Sequence, residues 1–144
     1  MDIPLKLIKL EDDNYHPVLE SRQGGNKLYW IIDTGASKTV FDKNLTDLYI
    51  PVKVNPDEYQ SVGIGDGMIE TSLGKIPKIK FGKLKITDLK VALIDLSHIN
   101  SIYKKFADIT IAGLLGSDIL YVYGCIISYR THTISFRKRQ KKAV

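Results

Sequence analysis

The stretch Tyr29-Trp30-Ile31-Ile32-Asp33-Thr34-Gly35-Ala36-Ser37 decides how the remaining residues are read. Its first four residues have the bulk and apolarity of a buried strand, which delivers a carboxylate into a Thr-Gly turn. The apolar run offers no partner for that charge. A lone buried carboxylate is costly unless it is hydrogen-bonded or its pKa rises. Asp and Gly are also common turn residues, so on these residues alone an ordinary strand-end turn reads equally well.

A second segment, Ile111-Ala112-Gly113-Leu114-Leu115-Gly116-Ser117-Asp118-Ile119-Leu120, places an apolar pair and a glycine ahead of a helix start. Together the two segments resemble the retropepsin-like aspartic proteases, in particular their small bacterial members. That family carries hydrophobic-hydrophobic-Asp-Thr-Gly-Ala on one strand. Later it carries hydrophobic-hydrophobic-Gly leading into a helix, as Leu114-Leu115-Gly116 does here. Thr39-Val40-Phe41 continues the match beyond the turn, and Tyr121 to Tyr129 is similar to the penultimate strand. The resemblance runs roughly from Ile3 to Phe136.

The resemblance implies an all-β, single-lobe closed barrel with a glycine-rich flap hairpin and two or three short helices. It implies that Leu114-Leu115-Gly116 passes beside the Asp33 turn, with Gly116 allowing close backbone approach. The flap falls on Val62-Gly63-Ile64-Gly65-Asp66-Gly67. Catalysis is assigned to Asp33, Thr34 and Gly35, and substrate contacts to Ala36, Ser37, Gly63, Ile64, Gly65 and Leu114. Such peptidases cut with two carboxylates that share one proton. This sequence has one Asp-Thr-Gly, and neither Asp66-Gly67 nor Ser117-Asp118 repeats it. Asp33 is therefore expected to meet its counterpart across the two-fold axis of a homodimer, acting on a peptide or protein without cofactor or metal. Alternatives are a non-catalytic dimeric peptide-binding domain of the same fold, and a binder of nucleic acid or an acidic partner through a basic tail.

Pattern alone gives an all-β domain with a few short helices. Tyr15 to Glu20 and Lys27 to Ile32 flank Gln23-Gly24-Gly25-Asn26, which is hairpin chemistry because both glycines accept positive φ. Gln60 to Glu70 reads as a glycine-rich hairpin, and Lys75 to Lys80 and Lys83 to Ile94 as strands broken at Gly82. In the first strand, Ile8 and Leu10 shift the phase set by Ile3, Leu5 and Leu7, so a bulge is expected. Helices are predicted from Phe41, Leu45 and Leu48, from Leu96 through Phe106 with Asp95 or Ser97 as the cap, and from Leu115 through Tyr123 with Gly124 as its stop. Cys125 to Tyr129 and Ile134 to Phe136 close the fold.

The chain of 144 residues is long enough for one domain with its own core, residues 1–136, followed by a basic tail, residues 137–144. Arg137, Lys138, Arg139, Lys141 and Lys142 account for the formal charge of +5, leaving 16 basic residues against 16 acidic ones. A nucleic-acid partner is therefore not expected, since such domains spread their charge over a face of the fold. No apolar run reaches the ~20 residues of a membrane helix, and the N-terminus lacks a signal-like pattern, so the expectation is cytoplasmic. His16, His98 and His132 are too scattered for a zinc site. Ser37 lacks a Gly-x-Ser-x-Gly elbow. The single cysteine, Cys125, reads as a small buried hydrophobe.

Overall fold

The strand pattern resolves into a barrel. The computed structural model describes residues 2–11, 13–53 and 72–137. Within them lie β1 (Asp2–Glu11), β2 (Asn14–Gln23), β3 (Asn26–Ile32), β4 (Val40–Asp42), β5 (Ile50–Val52), β6 (Ser72–Phe81) and β7 (Leu84–Ile94). Helix α1 (Ser97–Ala107), β8 (Ile111–Leu115), helix α2 (Ser117–Val122), β9 (Ile126–Ser128) and β10 (Thr133–Ser135) complete the chain. Neighbouring strands run in the order β5-β6-β7-β4-β8-β3-β2-β1-β10-β9, and an extra β6–β2 pairing closes six of them into a ring. The closing seam is the single pair Arg22↔Lys80. The expected flap residues Gly63, Ile64 and Gly65 lie outside the described residues.

Alternation along the strands builds two apolar layers. Leu19, Trp30, Phe41, Ile76, Ile79, Phe81 and Leu115 fill the barrel interior. Val18, Val40, Ala92, Ile111 and Tyr103 form a second layer between the barrel's outer face and α1. Trp30 is fully buried between the rings of Phe41 and Phe81, and its indole N–H donates to Ser21 Oγ at 2.8 Å. That bond meets the need of a buried indole for an acceptor.

The two layers explain the mixed phase of β1. Leu7 packs on the inner layer, whereas Ile8 and Leu10 pack on the outer one. The expected irregularity falls between Lys9 and Glu11. At its start β1 pairs Asp2↔Ser135 and Pro4↔Thr133, so the first and last described strands pair within the same chain.

The turns follow glycine chemistry with one economy. Gly24 takes φ +58° and Gly82 φ +59°, whereas Gly25 does not use the left-handed region. The helix expected from Phe41, Leu45 and Leu48 does not form. Phe41 is a strand residue on β4, and only Thr46–Leu48 makes a single 3-10 turn. The buried Asp42 carboxylate ends the strand by accepting the N–H groups of Asn44 at 3.1 Å and Leu96 at 3.3 Å. The apolar residues share one core without sharing a helix.

Tyr121 and Val122 also depart from expectation, because they belong to the last turn of α2 rather than to the penultimate strand. That strand is only Ile126–Ser128. Gly124, at φ +50°, stops the helix as predicted. No helix among the described residues is long and apolar enough to cross a membrane.

Candidate active site

Parallel pairing of β3 with β8 brings the two sequence motifs together. Ile31 faces Leu114 and Ile32 faces Leu115 in register. The backbone N–H of Asp33 continues the ladder onto Leu115 O at 2.9 Å. The chain then turns, with Ala36 N donating to Asp33 O at 3.1 Å and Gly35 N donating to Asp33 Oδ1 at 3.0 Å. On the facing segment, Ser117 N donates to Ala36 O at 2.8 Å.

Gly116 is required by this approach. A Cβ there would stand 2.8 Å from Ala36 O and 2.9 Å from the carbonyl carbon of Lys38. At Gly35 an added Cβ would meet only Asp33 Oδ1, at 3.4 Å, an ordinary contact. Within one chain, Gly35 is therefore not demanded by space.

A buried hydroxyl locks the arrangement. Thr39 is fully buried, accepts the Gly116 N–H at 3.0 Å and donates to Asp118 Oδ1 at 2.7 Å. Asp118, half-buried at the start of α2, also lies 3.8 Å from Lys38 Nζ. Each end of the hydroxyl thus holds a different part of the β8–α2 corner against the Asp33 turn.

Asp33 opens into a cavity of about 440 Å³, whose apolar walls include Leu10, Ile31, Ile99, Ile102, Tyr103 and Leu114. This volume lies within the ~300–1,000 Å³ of ordinary ligand clefts. Helix α1 supplies one wall, and Asn100 pins it to β8 by donating to Ile111 O at 3.0 Å and accepting from Ile111 N. The N-terminal cap of α1 is Leu96, without a side-chain bond. Asp95 serves instead, accepting the Ser97 hydroxyl and the Ser97 N–H, then an Asn44 amide hydrogen. These bonds, led by the hydroxyl, hold its carboxyl down at about 2.

A model of the aspartyl protease family matches residues 20–119. The chain belongs to the aspartyl protease family. The match takes in both the Asp33 turn and the Leu114-Leu115-Gly116 corner. A retropepsin-like aspartic protease from Rickettsia conorii aligns over 93% of this chain and 86% of its own, at 15% identity and a TM-score of 0.47. The retroviral protease-like domain of Ddi1 from Leishmania major aligns over 83% and 86%, at 12% identity and a TM-score of 0.52. The shared feature at this distance is the fold, a retropepsin-like barrel. Comparison with curated proteins finds no match.

Among the residues assigned from this protease family, Asp33 and Leu114 share the cavity. Ala36 is half-buried and occupied through its backbone. Thr34 and Ser37 are exposed beside it, with side chains that form no hydrogen bond among the described residues. Thr39 and Asp118 were given no role from sequence, whereas the helix expected from Leu96 through Phe106 forms and supplies the α1 wall. Thr39 stands beside the buried pair Val40-Phe41, a context that signals packing and not a hydrogen bond. The wall was legible as a helical stripe, and only its place beside Asp33 is set by folding. Tyr103 is buried there with a hydroxyl that has no partner among the described residues, and burial pushes its pKa up to about 12. His16 meets its ring edge-on at 5.9 Å. Cys125 is half-buried against the inner layer, and burial pushes its thiol up to about 11. Among the described residues, no group of three potential metal-ligating side chains forms.

Proposed function

We propose that the chain is an aspartic endopeptidase that works as a homodimer, with Asp33 of each subunit forming the dyad. The observation that carries this reading is the placement of Asp33. Its backbone is held on both sides by hydrogen bonds, its carboxylate accepts the Gly35 N–H, and it lines an apolar cleft. Two such carboxylates brought within ~3 Å cannot both ionise. The ionised member takes a proton from water as the water attacks the peptide carbonyl carbon. The protonated member donates to the carbonyl oxygen as negative charge develops on it.

Support for the dimer is chemical, since one chain supplies one such carboxylate. Thr34, exposed at the tip of the turn, belongs in this reading to the contact between the two turns. Gly63, Ile64 and Gly65, outside the described residues, are assigned in this reading to contacts with the peptide. Ala36 and Ser37 flank the substrate.

The test is cleavage of a peptide library by wild type and Asp33→Asn, with sedimentation of both. Cleavage by a dimeric wild type and its loss in a dimeric Asp33→Asn is the expected result. Equal cleavage by both proteins excludes the dyad. Peptide binding without cleavage by either protein selects the non-catalytic peptide-binding dimer instead.

A further inference from the structure

Strand register arranges the surface charge into a row. Lys27 on β3 pairs with Arg22 on β2, Arg22 pairs with Lys80 on β6, and Lys80 pairs with Lys85 on β7. Directly opposed residues share a face, so four exposed cations stand side by side across four strands. At ~4.8 Å per strand the row is ~14 Å long.

Lys78 adjoins it, and Lys85 is held below its ordinary pKa by a hydrogen-bonding contact with Lys78, then by the charge of Lys78. From Ser72 to Ile94 there are six lysines and one acidic residue, Asp88. The charge is thus gathered on a face of the barrel as well as in the tail, which the neutral count for residues 1–136 concealed.

Like charges directly opposed weaken a sheet. Part of this cost has a protective explanation. β7 pairs with β4 only from Ala92 to Ile94, and lysines along the unpaired remainder discourage edge-to-edge association. That covers Lys85 and Lys90. It does not cover Arg22 and Lys80, each of which has a strand paired on both sides. Glu20 offsets a single charge, at 3.5 Å from Lys27 and 3.9 Å from Arg22 in exposed, weak pairs. Beside the row opens a cavity of about 290 Å³, with Lys6, Arg22, Lys80 and Glu20 at its walls alongside the uncharged Ile3, Pro4, Ser21 and Gly82.

We propose that the row Lys27-Arg22-Lys80-Lys85, with Lys78 and the adjoining cavity, is a docking site for an acidic polypeptide segment in extended conformation. On one face of an extended peptide, side chains recur every ~6.6–7 Å, so ~14 Å of row meets about three carboxylates. Single-stranded nucleic acid would be held by aromatic residues beside the cations. The exposed aromatic residues among those described lie elsewhere: Tyr15 at the far end of β2, Phe106 on α1, Tyr121 on α2 and Tyr129 beyond β9. Tyr29, two residues from Lys27 on β3, is half-buried and its ring is covered by Lys6 Nζ at 5.2 Å from the centroid. Lys27 precedes Asp33 by six residues of extended chain, which places the row ~20 Å from the carboxylate. The site is separate from the Asp33 cavity and does not depend on what Asp33 does.

The test is fluorescence anisotropy of a labelled peptide of alternating Glu and Ser, titrated at low salt with the full-length protein. Binding that weakens with added salt is expected, and it should fall about tenfold or more in K27Q/K80Q/K85Q. Neutralising Lys9, Lys104 and Lys105 instead should change affinity by less than about twofold. Thermal melts of both triple variants establish that each is folded. Absence of binding at low salt, equal binding of a Gln/Ser peptide, or undiminished binding by K27Q/K80Q/K85Q each overturns the proposal. So does loss of binding on neutralising Lys138, Arg139, Lys141 and Lys142 alone. Tighter, row-dependent binding of oligothymidylate of equal charge would replace the acidic peptide with a nucleic acid.

Discussion

Thr39→Val keeps the branched shape of the side chain and removes the oxygen that ties the Asp33 turn to the β8–α2 corner. Two bonds go with it: the one accepted from Gly116 N and the one donated to Asp118. Gly116 is buried, so its N–H is left without a partner, at a cost of ~1–3 kcal/mol. The bond to the Asp118 carboxylate is charge-assisted and worth ~1.5–3 kcal/mol. That second figure is discounted because Asp118 keeps Lys38 at 3.8 Å and its side chain is 25% exposed, so water can replace the lost donor. The net expectation is a loss of about 2–4 kcal/mol. For a chain of this size that lowers Tm by roughly 10 °C. Urea denaturation with linear extrapolation reads the difference directly. Thr39→Ser retains the oxygen and loses one buried methyl, so it should cost ~1 kcal/mol or less. A valine variant within ~0.5 kcal/mol of wild type would refute the view that this hydroxyl holds the corner.

Gly113→Ala should prevent folding, because the new Cβ would lie 2.5 Å from Trp30 Cζ3 and against the backbone oxygen of Val40. Native-like circular dichroism in that variant would show the β3–β8–β4 contact to be looser than described. Cys125 and Tyr103 have native pKa values raised from 9.0 to about 11 and from 10.0 to about 12. The native state favours their protonated forms, so their contribution is complete below pH 9 and is lost as pH rises through about 11 and 12. The urea midpoint should fall across that window, and a flat profile would contradict the burial of both groups. Cleavage by the proposed dyad should have an optimum well above pH ~3, since Ala36 offers no hydroxyl to stabilise its ionised form. A pH-rate profile peaking near ~3 would count against this.

The local features of the fold were legible where one interaction dominates the sequence. Gly24 and Gly82 mark turns, alternation marks β6 and β7, and the stripe from Ile99 to Phe106 marks α1. Asp33 and Leu114-Leu115-Gly116 were readable as motifs because their chemistry is carried by residue type and order. The missing parts depend on neighbours distant in sequence. Phe41, Leu45 and Leu48 have helical spacing, yet the Asp42 carboxylate captures Asn44 and Leu96 N–H groups and fixes a strand end. Thr39 lies in an apolar context that advertises packing, and only Asp118 and Gly116 reveal it as a lock. The cation row could not be seen at all, since Lys27, Arg22, Lys80 and Lys85 become neighbours through register alone.

The hydroxyl lock also dictates an order of events during folding. Thr39 and Asp118 are 79 residues apart, and Thr39 and Gly116 are 77 apart. Closing loops of that length is slow compared with forming hairpins, whose contacts are local. The β2–β3 and β6–β7 hairpins can form early, whereas the Asp33 turn acquires its geometry only after β8 inserts between β3 and β4. A nascent chain ending before residue 116 therefore has the carboxylate but no corner to hold it. Such an intermediate carries the Asp-Thr-Gly motif without the geometry that the completed corner gives it.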